Sequence, residues 1–384
     1  MNNSEIERIL SAPRGQVCPF EDINSVVLYG AGQMGVSSSE CLLDANIKVT
    51  CFADKNPALA SRKVNNIPVR HPEHFSEDEK RDSVFAISVA TISYSAIHSY
   101  LETLGCRKIC FVGDLINKVS SNPLLARTWR LSDTSPAIAE KFKAAAAKYS
   151  DDNSRKSLLQ FLYWVAANEE REVGATVLKM NEKYFIPEVL RALGENETFV
   201  NYDSLNQNSI EEIRKLTGDK FKSIHSFEPA KNNFVEQAGR YKTEMDSGRV
   251  NLYPFGLANE NREKNFLDGM GLTVKARFLS GPPGELLQVR KLDDVMSGIP
   301  YSYLKVYGLG IALDVIKGAL GGIKKFRPVL AITVHHTQED FIGVPELLTA
   351  SLENYDFYLR LHSYCGFETI FYAIPKERAD NRKL

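Results

Sequence analysis

The chain has 384 residues, enough for two ordinary domains. Its 47 basic and 48 acidic side chains leave a formal net charge of −1, which excludes a nucleic-acid or anionic-membrane binder that works through bulk charge. An apolar content of 43% and a charged content of 25% are those of a soluble globular protein.

The first segment, residues 1–24, begins MNNSEIERIL. It has no basic region ahead of an apolar core, so it does not read as a signal peptide. No uninterrupted apolar run reaches the length of a membrane span, so a cytoplasmic protein without a span is expected. In residues 25–118 the short apolar runs Val26–Tyr29, Ile47–Phe52, Val84–Ser88 and Lys108–Val112 alternate with helix-like segments. That rhythm predicts βαβ units and a parallel sheet. Between the first strand and its helix stands GAGQMG, which is Gly30-x-Gly32-Gln33-x-Gly35. Gly30 would permit the tight turn, Gly32 would let backbone N–H groups reach a diphosphate, and Gly35 would let the helix lie close on the strand. Asp54 ends the second strand, where an acid suits ribose hydroxyls. The candidate ligand is a nucleotide, NAD or a nucleotide sugar; the alternative is a close-packed turn that binds nothing.

Residues 119–195 hold no convincing strand and are read as a helical connector. Its Phe161, Leu162, Trp164 and Val165 are expected to pack against one of the domains. From residue 196 to 377 the βα rhythm returns. Strand candidates are Thr198–Val200, Lys222–Phe227, Asn251–Leu257, Tyr303–Gly308 and Val329–His336, closed by the pair Asp356–Ser363 and Glu368–Pro375. Such a closing hairpin adds an antiparallel strand to an otherwise parallel sheet. Ser209 and Glu212 form an S-x-x-E capping box ahead of a helix. Residues 378–384 are a charged tail. The six cysteines, Cys18, Cys41, Cys51, Cys106, Cys110 and Cys365, form no C-x-x-C pair and no zinc-like set with histidines. They are read as buried free thiols, and no metal is expected.

Two stretches carry resemblances. CFADKNPALASRKVNNIPVRHPEHF resembles the small Rossmann-like domain found beside sugar-modifying enzymes, including bacterial sugar acyltransferases. That resemblance implies that Asp54 faces the nucleotide and that Ile67-Pro68-Val69 forms a short edge strand. Over residues 184–375, the series ETFV, FEPAKNNF, KLDD, YLKVYGLGIALDVIKGA, RPVLAITVHH and YLRLHS…ETIFYAIP resembles the FkbM family of S-adenosylmethionine-dependent methyltransferases. Members often methylate hydroxyls of sugars or polyketides, and one branch carries an N-terminal Rossmann-like domain. The implied fold class is α/β, with two Rossmann-like domains joined by the connector. The C-terminal one would be a seven-stranded class I methyltransferase sheet with an antiparallel last strand.

The same resemblance implies a cofactor corner made by Asn201, Tyr202, Asp203 and Ser204, with Phe227, Glu228 and Pro229 at the next strand end. Glu228 would take the adenosine ribose, Gly256 and Leu257 would approach the adenine, and Lys305 and Tyr307 lie in the fourth-strand motif. The sequence departs from the family where F-V-D-V-G-A-x-x-G is expected. Asn201 replaces the first acid, and Asp203 and Gln207 replace the glycines. Side chains there would occupy cofactor space, and Asp203 would oppose the cofactor's carboxylate. Three fourth-strand acids fall on Tyr307, Leu309 and Ala312.

His336, beside His335, is the surviving candidate base, matching a histidine of the family's strand. Asp293 and Asp294 are read as turn and capping acids, and Leu279–Leu286 as a candidate lid. Arg360, His362 and Ser363 are packing or substrate-side groups. The leading expectation is an FkbM-type methyltransferase acting on a sugar or glycan-type hydroxyl, with a small-molecule or glycan partner and a homo-oligomer left open. The alternatives are a methyltransferase-fold binding or scaffold protein that no longer uses S-adenosylmethionine, and an NAD-dependent enzyme working through the N-terminal domain.

Overall fold

The computed structural model describes residues 3–14, 18–60, 62–120, 129–203, 209–265 and 286–379. The first domain is a six-stranded sheet of β1 (Ser25–Tyr29), β2 (Lys48–Ala53), β3 (Lys63–Val64), β4 (Ile67–Arg70), β5 (Val84–Ile87) and β6 (Lys108–Phe111), in the order β3-β4-β2-β1-β5-β6. All pairings are parallel except the β3–β4 hairpin. Ile67-Pro68-Val69 therefore lies one strand in from the edge, and Lys63–Val64 forms the edge. The cause is local. Asn65 and Asn66 both adopt positive φ, +49° and +64°, the two-residue geometry that folds a tight hairpin.

The segment before β1 carries a helix, Asn3–Ser11, whose Ile6, Ile9 and Leu10 are buried in the core that the connector shares with the second domain. The connector supplies two long helices, Pro136–Lys148 and Asp152–Ala167. Every residue of the second from Ser157 onward is buried. At its start Asp151 caps the helix by accepting from the Ser154 N–H, and also takes the guanidinium of Arg360 at 2.5 Å. Near its other end the Trp164 ring stands edge-on to Phe111 of β6, centroids 5.2 Å apart. Phe161 stacks on Phe341 of the second domain at 3.9 Å.

The second domain contains β7 (Thr198–Asp203), β8 (Ser223–Phe227) and β9 (Val250–Tyr253), then a small sheet of β10 (Gly256–Leu257), β11 (Arg262–Asn265) and β12 (Leu286–Arg290). It closes with β13 (Tyr303–Tyr307), β14 (Val329–Thr333), β15 (Tyr355–Leu361) and β16 (Thr369–Pro375). The main sheet has seven strands in the order β15-β16-β14-β13-β7-β8-β9. β16 runs antiparallel to both neighbours, and the other pairings are parallel. This is the expected α/β class with a seven-stranded sheet and an antiparallel last strand. β7 runs three residues past the apolar Thr198–Val200 because its polar end, Asn201–Asp203, finds buried partners on the adjoining strands. The six cysteines are free and buried.

Candidate functional site

The first corner is built as its glycines require. Gly30 sits at φ +108°, a conformation that L side chains rarely adopt. A Cβ on Gly35 would lie 2.0 Å from the Gly30 carbonyl oxygen, so only glycine lets the helix approach the strand this closely. The Ser88 hydroxyl fixes the turn from β5, donating to the carbonyls of Tyr29 and Gly30 at 2.9 and 3.0 Å. Gly32 is the N-cap of the helix Gln33–Asp44. It offers no capping side chain, and the first turn carries no acid. Asp54 braces the turn: its Oδ2 accepts the Ala31 N–H and its Oδ1 the Asn56 N–H, both at 2.8 Å.

This corner opens onto a cavity of about 600 Å³ that lies between the two sheets. Gly30, Gly32, Gln33 and Asp54 line one side, and Trp129 and Trp164 of the connector line the middle. Tyr307, His335, His336 and Glu368 form the far side. Ile92 and Met180, 54% and 39% exposed, also contribute to the lining and leave an apolar rim.

The far side is set by the ends of β13 and β14 and the turn before β16. His336 meets Tyr307 edge-on, with centroids 5.2 Å apart. Its Nε2 is buried without a hydrogen-bond partner among the described residues. Burial, reinforced by the neighbouring His335, pushes its pKa well below the ordinary histidine value, so the ring is neutral. Burial likewise lowers His335 to about 3; its Nδ1 accepts the Thr369 N–H and its carbonyl accepts Trp129 Nε1–H. Glu368 pairs with Lys183 at 3.0 Å, and the Lys183 ammonium lies over the Tyr307 ring, 5.2 Å from its centroid. Glu368 itself has φ +47°, a strained conformation for a glutamate. Glu368, Lys183 and Trp129 were not among the sequence candidates, and Trp164, expected only to pack, also lines the cavity. Only the position of Glu368 just before the last strand, in the register of the histidine strand, offered a signal.

The second corner is packed tight. Asp203 Oδ2 accepts from Lys305 Nζ at 2.7 Å and from the Ser209 hydroxyl at 2.8 Å. Ser209, expected to cap its helix, is thus engaged by Asp203. Asn201 donates to the Ser226 hydroxyl at 3.0 Å, while its Oδ1 is buried without a partner among the described residues. The Tyr202 hydroxyl lies against Gly256, where a Cβ would sit 3.4 Å away. Glu228 Oε1 accepts the Ala230 N–H at 2.8 Å, and Asn233 and Gln237 approach Oε2 at 3.4 Å. Burial raises this carboxyl to about 7 against the pull of the Ala230 N–H. Phe227, Pro229 and Leu257 complete the buried surround.

Six of the sequence candidates, Gly30, Gly32, Gln33, Asp54, Tyr307 and His336, therefore meet at one cavity, with Gly35 packed behind the turn. Asn201, Tyr202, Asp203, Phe227, Glu228, Pro229, Gly256, Leu257 and Lys305 form a separate, buried group. Ser204 lies outside the described residues, as does Leu279–Leu286 apart from its last residue, which starts β12. Asp293 caps the helix Leu320–Phe326, accepting the N–H groups of Gly321 and Gly322, and Asp294 accepts from Asn261. Arg360 is held by Asp151, Ser154 and Glu188. His362 bonds the Tyr372 hydroxyl, and Ser363 donates to the Ala90 carbonyl across the domain boundary. Among the described residues no cluster of three or more His, Cys, Asp or Glu could hold a metal ion, and no helix is long and apolar enough to cross a membrane.

The sheet order, with its single antiparallel strand, and the position of the two corners define a methyltransferase-type α/β fold preceded by a Rossmann-like domain. No family model matches the chain, and no curated protein matches it. Among solved structures it is similar to the methyltransferase FkbM from Methylobacillus flagellatus KT, with a TM-score of 0.65 and 17% identity over 97% of this chain and 93% of that one. A methyltransferase from Geobacter sulfurreducens aligns with a TM-score of 0.27 and 10% identity over 73% of this chain and 97% of that one. The chain has an FkbM-like methyltransferase fold that extends over both of its domains.

Proposed function

We propose that the protein is an FkbM-type O-methyltransferase whose acceptor, a sugar or glycan-type hydroxyl, sits in the interdomain cavity. The observation that carries this reading is His336, a neutral imidazole on the cavity wall with an unpartnered Nε2. S-adenosylmethionine, when bound, supplies a methyl carbon on a sulfonium. The residue types at the second corner match a ribose and an adenine, while the described side chains there are closed against one another. Glu228 would hold the ribose hydroxyls, and Tyr202, Gly256 and Leu257 would flank the adenine. The expected repulsion between Asp203 and the cofactor's carboxylate is removed, because Lys305 neutralises Asp203. His336 would orient the acceptor hydroxyl, with Tyr307 fixing its ring; its depressed basicity leaves the final holder of the proton to solvent.

A second reading is a binding or scaffold protein of the same fold that does not use this cofactor. Its support is the closure of the corner: Glu228 is 2% exposed, Lys305 1% and Asp203 7%. Calorimetric titration with S-adenosylmethionine and S-adenosylhomocysteine separates the two. Binding of S-adenosylhomocysteine, the product form of the cofactor, at micromolar concentration supports the transferase; no heat and no thermal shift at millimolar ligand removes it in favour of the binding protein.

A further inference from the structure

We infer that Cys18 and Cys110 are a redox modification site, a thiol pair that hydrogen peroxide converts into a disulfide tying the segment before β1 to strand β6. The inference is independent of the proposed methyl transfer.

The fold brings the two residues together from distant parts of the sequence. Both belong to the core on one face of the first sheet, and the Cys110 thiol donates a hydrogen bond to the Cys18 sulfur. Both also line a small polar cavity of about 140 Å³ between the first domain and the connector, with Asp114, Asn168 and Glu170 among its walls. A water-sized molecule takes about 30 Å³. The cavity therefore admits a peroxide, although Cys18 and Cys110 are only 3% and 4% exposed. Cys18 is also held in a conformation that packing alone does not require. Its φ is +33°, in the left-handed region where a residue with a Cβ is strained, and such strain marks functional positions. Lys118, on the helix Val112–Val119, fixes the segment by donating to the carbonyls of Cys18 and Phe20 at 3.3 and 2.7 Å.

The surroundings divide the labour between the two thiols. The hydrogen bond from Cys110, a backbone hydrogen bond from Phe20 and the Lys118 ammonium together lower the Cys18 pKa below the ordinary thiol value, against its burial. The same thiol bond, with burial, raises Cys110 well above it. Cys18 is thus the thiol that reacts first and Cys110 the one that resolves. The Cys18 thiolate attacks one peroxide oxygen: an S–O bond forms, the O–O bond breaks, and the departing hydroxide takes the proton that Cys18 gave up. The Cys110 sulfur then attacks the sulfenic sulfur: the S–S bond forms, the S–O bond breaks, and the second hydroxide takes the Cys110 proton. Two thiols lose two electrons, and one peroxide becomes two waters. The effect reaches the ligand side of the molecule. Phe111, next to Cys110, stands edge-on to Trp164, and Trp164 lines both this cavity and the interdomain one.

The test treats the folded full chain with a small molar excess of hydrogen peroxide, counts the thiols after unfolding, and maps disulfides by peptide mass spectrometry. The thiol count should fall from six to four, with Cys18 joined to Cys110. The melting temperature should rise, because the bond closes a long loop of the unfolded chain, and dithiothreitol should reverse both changes. In Cys110→Ser, dimedone should trap a sulfenic acid at Cys18, whereas in Cys18→Ser the Cys110 thiol should stay reduced. Six thiols remaining after peroxide, a disulfide between any other two cysteines, or peroxide reaction of Cys110 undiminished in Cys18→Ser overturns the inference. An unchanged or lower melting temperature overturns the bond as one that the native fold accepts. The mapping in the unsubstituted protein decides the matter even where a variant fails to fold.

Discussion

Lys305 Nζ lies 2.7 Å from Asp203 Oδ2, deep inside the sheet where β13 and β7 pair, and both side chains are almost fully buried. A carboxylate stands where the family motif has a glycine, and an ammonium on the adjoining strand answers it. Removing one member leaves the other charged and without a counter-ion. Asp203→Gly or Lys305→Met alone should each destabilise the fold by about 3–5 kcal/mol, while the double variant should recover much of that loss. Urea unfolding of the three variants checks it; additive losses would show that the two groups act separately.

Glu228 gives the proposed cofactor site a pH dependence. Its carboxyl is raised to about 7 by burial, so below that pH it is mostly protonated and lacks the charge that ribose hydroxyls would meet. The affinity for S-adenosylhomocysteine should therefore rise from pH 6 to pH 8. Glu228→Gln should flatten the profile and cost about 1–3 kcal/mol of binding at pH 8. Calorimetry at three pH values reads both effects, and a flat profile in the unsubstituted protein would move the cofactor away from Glu228.

Acid should loosen the fold well before the surface carboxylates protonate. Burial holds His335 at about 3 and His225 and His362 at about 4, whereas an unfolded histidine titrates near 6.5. The unfolded chain takes these protons first. The stability they contribute is complete above about pH 6.5 and is lost as pH falls toward 4, by up to about 1.4 kcal/mol per pH unit for each. Glu228 and Asp340, raised to about 7 and about 6, act with the opposite sign over part of that window. Four histidines held neutral by burial, His336 included, against two carboxyls leave a net loss. The urea midpoint should fall between pH 6.5 and 4.5, and His362→Gln should make that fall shallower.

Glu170 ties the connector to the first domain through three hydrogen bonds at one helix end. Glu170→Ala should cost about 1–3 kcal/mol by leaving those donors unsatisfied. It should also raise hydrogen exchange in the helix Tyr94–Thr103 ahead of the rest of the chain. Unchanged exchange there would mean that the remaining contacts, Trp164 with Phe111 and Arg130 with Asp114, hold the two parts together without it.

Much of this architecture is legible from local patterns. The glycine turn declares itself because two of its glycines answer a demand within a few residues, Gly30 through its positive φ and Gly35 against the Gly30 carbonyl. The strands of the second sheet are legible where they are apolar, as in Val329–Thr333. The end of β7 is not, because Asn201 and Asp203 are polar residues whose burial depends on Ser226 and Lys305, far away in sequence. The far wall of the cavity is hidden for the same reason: Lys183 and Glu368 meet only once the connector is docked. The helix Asn3–Ser11 and the Asn65-Asn66 turn, by contrast, had readable signals in their Ile6/Ile9/Leu10 spacing and their asparagine pair.

The connector helix Asp152–Ala167 touches Arg360 of the second sheet at its first turn and Phe111 of the first sheet near its last. From Asp151 to Trp164 it rises about 20 Å, so it acts as a fixed strut between its contacts with the two sheets. A single residue inserted into it would turn Trp164 by about 100° away from Phe111. A change in the length of this strut that kept both contacts would then proceed in steps of whole helical turns, not of single residues.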